Sequence, residues 1–146
     1  SILNYDIVFL NGEKNKSKFE KKLKQLNPKL KIFRARYAPK NLKSFKFKEN
    51  FLMFSGIGNP AEFKKTLNKY KFNIKKEIIF PDHYKYKNSD IMKIKKTARR
   101  NKLKIITSEK DYYRLSNSQK KNIQYLTIEL KIEKENEFKN FLLKNL

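Results

Sequence analysis

Residues 78–86 decide the fold, and their sequence is Ile78-Ile79-Phe80-Pro81-Asp82-His83-Tyr84-Lys85-Tyr86. The apolar residues at the start indicate a strand, and Pro81 ends it because proline has no N–H to donate to a sheet. The next two residues are an acid and the only histidine of the chain. Ligands of parallel α/β sheets bind at the carboxyl ends of strands. The stretch therefore predicts a site at Asp82 and His83, although a Pro-Asp turn with a solvated histidine has the same pattern.

A second apolar strand is followed by glycines. The run Phe51-Leu52-Met53-Phe54 is typical of a strand that is covered on both faces, and it leads into Gly56-Ile57-Gly58-Asn59-Pro60-Ala61. This pattern fits G-x-G-x-x-A between a strand and a helix, where the helix N-terminus offers N–H groups to an anion. A dinucleotide-binding domain is one interpretation, with Asp82 as the ribose-binding acid. The alternative is a glycine turn that only leads into a helix capped by Asn59.

A third apolar strand, residues 104–107, leads into Ser108-Glu109-Lys110-Asp111. The spacing of Ser108 and Asp111 is that of a capping box, which needs no function beyond starting a helix. A charged cluster at the carboxyl end of a strand is also where a sheet enzyme places polar groups. The sequence leaves both interpretations open.

Strands and helices alternate along the whole chain, which predicts an α/β fold. We expect a mainly parallel, Rossmann-like sheet of at least five strands with helices on both faces, in a single domain of residues 1–146. The three motifs should lie on the same edge of this sheet. The first strand ends in a turn at Asn11-Gly12, and residues 40–50, with Phe45 and Phe47, form an edge strand or a loop. The remaining predicted strands are 31–37, 74–80 and 123–132, and the predicted helices are 17–26, one beginning at 60, one beginning at 88, and 133–146.

The composition limits the chemistry. With no cysteine and one histidine, the chain has neither a thiolate site nor a multi-histidine metal site. The net charge of +23 suggests nucleic acid, but only 5 of the 37 basic residues are arginine and the lysines are dispersed, so no specific nucleic acid is expected. An anionic membrane surface suits diffuse positive charge equally well. The sequence contains no apolar membrane span and no signal-peptide pattern, so we expect a cytoplasmic protein.

The three motifs together, in this order and spacing, resemble the C-terminal half of the tetraacyldisaccharide 4'-kinases, the lipid A 4'-kinases of Gram-negative bacteria. Residues 6–12 also look like the strand with which that half begins. Ser108 stands where the family usually has threonine, a mild departure. The matching residues are Phe54-Ser55-Gly56-Ile57-Gly58-Asn59-Pro60 with Phe63, Phe80-Pro81-Asp82-His83 with Tyr86, and Thr107-Ser108-Glu109-Lys110-Asp111.

The resemblance implies a two-lobed P-loop kinase that phosphorylates the 4'-hydroxyl of an acylated disaccharide-1-phosphate lipid. It also implies ATP and Mg²⁺ as cofactors, held mainly by an N-terminal kinase lobe that this sequence lacks. The chain contains no G-x-x-x-x-G-K-[ST] loop, so we expect it to be inactive alone and to hold no metal itself. The implied location is the cytoplasmic face of the inner membrane, as a peripheral protein on its anionic surface.

The resemblance also assigns roles to individual residues. His83, with Asp82 beside it, is the candidate catalytic residue, because the family histidine is thought to pair with an N-lobe aspartate that activates the hydroxyl. A carboxylate–imidazole pair of this kind can accept the hydroxyl proton. The candidates for nucleotide or substrate binding are Asn11, Gly56, Gly58, Asn59, Ser108, Glu109, Lys110 and Asp111.

Overall fold

The computed structural model of the chain describes residues 2–11, 16–46 and 48–145. Gly12 of the predicted turn and Phe47 lie outside the described residues. The strands are β1 (Ile7–Asn11), β2 (Lys31–Pro39), β3 (Asn50–Ser55), β4 (Asn73–Ile79), β5 (Lys104–Ser108), β6 (Ile123–Leu126) and β7 (Ile128–Ile132). The α-helices are α1 (Lys16–Leu26), α2 (Pro60–Lys69), α3 (Asn88–Arg100), α4 (Glu109–Tyr113), α5 (Asn117–Lys120) and α6 (Glu135–Asn145).

The chain divides into two compact units, of which the larger is Pro39–Ile128 and the smaller combines Ser1–Ala38 with Glu129–Leu146. Whether they fold together as the single domain expected from the sequence stays a prediction. Among the described helices, none is both long and apolar enough to cross a membrane.

The larger unit contains a four-stranded, all-parallel sheet in the order β4-β3-β5-β6. Successive side chains of a strand point to opposite faces. Leu52 and Phe54 accordingly pack in one apolar cluster with α3, whereas Phe51 and Met53 pack in another with α2. All four of these side chains are fully buried. The predicted α/β class, with a parallel sheet and helices on both faces, is confirmed in this unit.

The smaller unit has a three-stranded sheet in the order β1-β2-β7, in which β1 and β2 are parallel. Its buried aliphatic core consists of Leu10, Leu23 and Leu30. Beside this core, the ring of Phe138 from α6 makes edge contacts with Phe9 and Phe33.

The strands therefore divide between two sheets instead of forming one sheet of at least five strands. The predicted single strand 123–132 was wrong, because it is interrupted at Thr127. The N–H of Thr127 donates to Asn41 Oδ1, and its carbonyl accepts from the N–H of Lys40. Those bonds take the backbone of Thr127 out of sheet pairing, so β6 joins the larger sheet and β7 the smaller one.

Two smaller differences concern local structure. Residues 40–46 form a loop with one 3₁₀ turn at Leu42–Ser44 and a buried Phe45, so the loop alternative was right for this part. The short helix α5 was not predicted. It begins at a capping box in which Ser116 and Gln119 bond each other's backbone N–H groups.

Candidate active site

Three loops of the larger unit follow parallel neighbouring strands and therefore meet at one edge of the sheet. They are the glycine loop (residues 56–59) after β3, the Pro-Asp-His loop (residues 80–87) after β4, and the start of α4 after β5. The N–H of His83 donates to the carbonyl of Gly56 at 3.0 Å, so the first two loops are in direct contact. The predicted grouping of the three motifs on one edge is confirmed.

Asp111 joins all three loops. Its side chain is completely buried, and a buried carboxylate is stable only where donors replace its hydration. Oδ1 accepts from the N–H of Gly56 at 3.2 Å and from the Tyr86 hydroxyl at 2.9 Å. Oδ2 accepts from the hydroxyl of Ser55 at 3.2 Å and from that of Ser108 at 2.7 Å. Each loop thus contributes at least one donor to the same carboxylate.

Arg114, at the end of α4, supplies the positive charge beside this carboxylate. Its Nη1 donates to Asp111 Oδ1 at 3.3 Å and to the carbonyl oxygen of Gly56 at 2.8 Å. Arg114 was not among the site residues predicted from the sequence. The available signal was its position three residues after Asp111 on a helical turn, a spacing that brings an arginine next to a carboxylate.

The Tyr86 hydroxyl is held in its neutral, donating form. Burial raises the pKa of Tyr86 far above the ordinary value near 10, and the charge of Asp111 with the hydrogen bond to it raises that pKa further. The ring packs edge-on against Phe54 and Phe80. Tyr86 therefore fixes the Pro-Asp-His loop to the core and donates to Asp111 at any physiological pH.

His83 lies at the outer end of this cluster, with its side chain 82% exposed. Its backbone has a φ of 59°, in the left-handed region, where histidine is more common than most residues. Its Nδ1 is 3.2 Å from Arg114 Nη2. Its Nε2 is 3.7 Å from Asp82 Oδ2, which is an ion-pair distance and too long for a hydrogen bond. The imidazole is thus anchored on one side and open to solvent on the other.

The close approach of the two loops requires glycine at Gly56 but not at Gly58. A Cβ at Gly56 would lie 2.8 Å from the Tyr86 hydroxyl and 3.2 Å from the carbonyl oxygen of Pro81. A Cβ at Gly58 would lie 3.1 Å from Asp82 Oδ2. Packing alone therefore accounts for glycine at Gly56, whereas Gly58 is exposed at the edge of the site.

Two candidate binding residues act as helix caps. Asn59 Oδ1 accepts from the N–H of Glu62 at the start of α2, and Ser108 Oγ accepts from the N–H of Asp111 at the start of α4. Ser108 also donates to the carboxylate, so both interpretations of its motif describe part of the structure. Whether Asn59 or Ser108 also binds a ligand stays a prediction.

The other candidates are more dispersed. Glu109 accepts from the hydroxyl of Thr127 at 3.4 Å, and Lys110 is exposed on α4. Asn11 ends β1 in the smaller unit, so it is not among the residues that the larger unit groups together. The ligand-binding roles of these three residues stay predictions.

A cavity of about 440 Å³ opens beside the imidazole, lined by His83, Tyr84, Lys85, Tyr86 and Arg114. A second cavity of about 440 Å³ lies in the smaller unit, where the side chains that line it include the ion pairs Glu20–Arg34 and Lys134–Glu137. In the part of the chain that the structure describes, no three histidine or carboxylate side chains come together to hold a metal. None of the side chains that line the cavity beside His83 carries a carboxylate, the protein ligand that Mg²⁺ prefers.

Curated proteins with similar sequences carry the name of the family that the three motifs resemble. The tetraacyldisaccharide 4'-kinase of Pelagibacter ubique strain HTCC1062 is 37% identical over 145 residues, which are 99% of this chain and 46% of that protein. The enzyme of the same name from Rickettsia canadensis strain McKiel is 37% identical over 133 residues, 90% of this chain and 39% of that protein. The chain thus spans less than half the length of these curated relatives.

The fold also has a counterpart among solved structures. The crystal structure of the "apo" form of LpxK from Aquifex aeolicus in complex with ATP superimposes with a TM-score of 0.57 and covers 96% of this chain and 52% of that one. Because the two sequences are only 17% identical, this likeness concerns the fold alone. A family model described as tetraacyldisaccharide-1-P 4'-kinase matches residues 2–146. The chain belongs to the tetraacyldisaccharide-1-P 4'-kinase family.

Proposed function

We propose that this chain forms the C-terminal half of an ATP-dependent tetraacyldisaccharide 4'-kinase. The reaction is transfer of the γ-phosphate of ATP to the 4'-hydroxyl of an acylated disaccharide-1-phosphate lipid. The observation that carries the proposal is the family match over residues 2–146, supported by relatives of that name that are 37% identical. It favours a kinase over the dinucleotide-binding and nucleic-acid-binding alternatives.

In this proposal the role of the chain is to present His83. Phosphoryl transfer requires mainly positioning and neutralisation of charge, together with a group that handles the proton of the hydroxyl. His83 lies exposed beside a cavity, next to Asp82, on a loop that Asp111 and Tyr86 hold in place. The partner of its imidazole is a carboxylate that the rest of the enzyme contributes.

ATP and Mg²⁺ bind mainly to the N-terminal lobe in this proposal. The present sequence lacks a phosphate-binding loop, and its described residues group no three metal-ligating side chains. Gly58, Asn59 and Lys110 are the candidates on the site edge that are exposed, so we assign binding of a nucleotide or a lipid headgroup to them. We assign Gly56, Ser108 and Asp111 to holding the loops together instead, because their polar groups are engaged within the cluster.

We further propose that the enzyme works at the cytoplasmic face of the inner membrane, as a peripheral protein. The net charge of +23 supports this location, because basic residues near an anionic lipid surface contribute about 1 kcal/mol each to binding. Sedimentation with vesicles that contain anionic lipid, compared with zwitterionic vesicles, tests this point. Equal recovery with both kinds of vesicle would contradict it.

The kinase proposal is tested by completing the enzyme. The N-terminal half of the Pelagibacter ubique relative, joined to this chain, should transfer phosphate from labelled ATP to the 4'-position of the disaccharide lipid. Either half alone should be inactive, because the N-terminal half lacks His83 and this chain lacks the phosphate-binding loop. The native relative is the positive control. A folded chimera with no transfer under conditions in which the native relative is active would contradict the proposal.

A further inference from the structure

Arg114 connects the buried carboxylate to the exposed imidazole. One nitrogen of its guanidinium, Nη1, is directed inward to Asp111 Oδ1 and to the carbonyl oxygen of Gly56. The other, Nη2, is directed outward and lies 3.2 Å from Nδ1 of His83. The side chain is only 25% exposed, and its two inner bonds determine where the outer nitrogen lies.

The chemistry of the two side chains determines which of them donates the hydrogen bond between Arg114 Nη2 and His83 Nδ1. Arginine stays protonated at all physiological pH values, and its five N–H groups are donors without an acceptor. Nδ1 of His83 must therefore be the acceptor, which requires that this nitrogen carry no proton. A neutral imidazole holds its single proton on the other nitrogen in that case, so His83 is the Nε2–H tautomer.

The backbone of the same residue is fixed to the same anchor. The carbonyl oxygen of Gly56 accepts from Arg114 Nη1 at 2.8 Å and from the N–H of His83 at 3.0 Å. Asp82 Oδ1 accepts from that N–H as well, at 2.9 Å. Arg114 thus contacts the ring of His83, and the Gly56 carbonyl that Arg114 also bonds holds the backbone of His83. These contacts limit the orientations that the exposed ring can adopt.

We propose that Arg114 is a positioning residue that holds neutral His83 as the Nε2–H tautomer, so that the ring offers an N–H donor, and no free lone pair, to the oxygen in front of it. The neutral ring is then a hydrogen-bond donor to a carboxylate or hydroxyl oxygen, and the carboxylate takes the proton of the hydroxyl. The consequence for catalysis rests on the proposed kinase function. The assignment of the tautomer does not.

The tautomer can be measured directly, because His83 is the only histidine. In the full chain labelled with ¹⁵N-histidine, all imidazole nitrogen signals belong to this residue. At a pH high enough for the ring to be neutral, we expect Nδ1 to have the shift of an unprotonated nitrogen and Nε2 that of a protonated one. In Arg114→Met, both shifts should move toward those of a mixture of tautomers, as in a free histidine side chain.

A second variant covers the case in which Arg114→Met does not fold. Arg114→Lys keeps the positive charge beside Asp111 but has no rigid fork to reach Gly56 and His83 together, so its shifts should also move toward the mixture. Arg100→Met removes an exposed arginine of α3 and should leave the spectrum unchanged. A protonated Nδ1 in the wild-type chain would overturn the proposal, as would unchanged shifts in a folded Arg114 variant.

Kinetics of the completed enzyme provide the catalytic readout. Arg114→Lys should lower kcat by roughly 10- to 100-fold, the loss seen when partners that orient metal-bound histidines are removed, with little change in KM for ATP. Unchanged kcat in the folded variant would overturn the positioning role. If the wild-type chimera itself is inactive but the imidazole has the expected tautomer, then the kinase proposal fails and the assignment of Arg114 and His83 stands.

Discussion

At the scale of single residues, Asp111 is the most consequential side chain of the larger unit. It accepts hydrogen bonds from Ser55, Gly56, Tyr86 and Ser108, so its carboxylate has donors from all three loops. Its neighbours are hydrogen-bond donors, and they would be buried without an acceptor if the carboxylate were lost. The candidate site is therefore organised from the inside, by a residue that does not reach its surface.

Asp111→Asn should destabilise the chain by roughly 1–3 kcal/mol, because an amide presents N–H groups where at least one carboxylate oxygen accepts, and that is the usual cost of a buried donor without a partner. Urea unfolding at neutral pH measures the change. Glu109→Gln is the matched control, since Glu109 is only half-buried and accepts one long bond from Thr127. Equal stability of Asp111→Asn and the wild type would contradict the central place of this carboxylate.

Tyr86 gives the larger unit a dependence on alkaline pH. Because its pKa is raised in the folded state, the neutral phenol contributes stability that is fully present below the ordinary pKa near 10 and is lost as the pH rises beyond it. Tyr86→Phe should be less stable than the wild type at about pH 8, since it lacks the bond to Asp111. The difference should shrink toward about pH 11, as followed by urea unfolding. A constant difference would show that the phenol does not titrate with unfolding.

The sequence predicted the outer residues of the site better than the inner ones. Asp82 and His83 are conspicuous after a strand that ends in proline, and the predicted edge brings them beside Gly56. Asp111 was predicted only as part of a charged cluster, and Arg114 was missed. Asp111 and Arg114 matter because the core covers them fully or in large part. The pattern of charges on a helical turn does not show which of its side chains are buried.

At the scale of elements, helices α2 and α3 of the larger unit end with the same kind of closing hydrogen bond. After α2 the N–H of Phe72 bonds the carbonyl of Leu67, and after α3 the N–H of Leu103 bonds that of Ala98. This closing bond requires a left-handed residue, which is usually glycine. Here the positions are occupied by Lys71 and Lys102, with φ values of 62° and 54°.

Lys71→Gly and Lys102→Gly should each stabilise the chain by roughly 0.5–1 kcal/mol. A lysine in the left-handed region costs about 1–2 kcal/mol, and the larger freedom of glycine in the unfolded chain offsets part of that gain. Thermal or urea unfolding measures the effect. Alanine at the same positions has the same steric penalty as lysine and should bring no such gain. Glycine variants less stable than the alanine variants would contradict this explanation.

Element types were predictable where apolar periodicity or caps were strong, as in α2, which is capped by Asn59 and begins at Pro60. The break at Thr127 was not. By their local pattern, residues 123–132 form a single strand. The hydrogen bonds of Thr127 with Lys40 and Asn41, which are distant in sequence, show why the chain changes sheets there. The division of strands between two sheets depends on tertiary contacts, and local secondary-structure propensity does not encode them.

At the scale of the whole molecule, this chain contributes one part of the proposed site and lacks another. It contributes a parallel sheet whose edge holds His83 against Arg114 and a buried carboxylate. Its sequence has no phosphate-binding loop, and it spans less than half the length of the relatives it matches. In the proposed kinase, the larger unit therefore positions the imidazole of His83, and other residues complete the site.

Turnover per folded molecule in the completed enzyme, with His83→Ala, tests this claim most directly. His83→Asn is the matched variant, because asparagine also tolerates the left-handed backbone at a φ of 59° but has no imidazole. Both should lower turnover by roughly 10²- to 10⁴-fold, the usual contribution of acid–base catalysis, because the carboxylate that takes the hydroxyl proton loses its imidazole partner. The melting temperature should change little, since the side chain is 82% exposed. A large fall in melting temperature with unchanged turnover per folded molecule would contradict a catalytic role for His83.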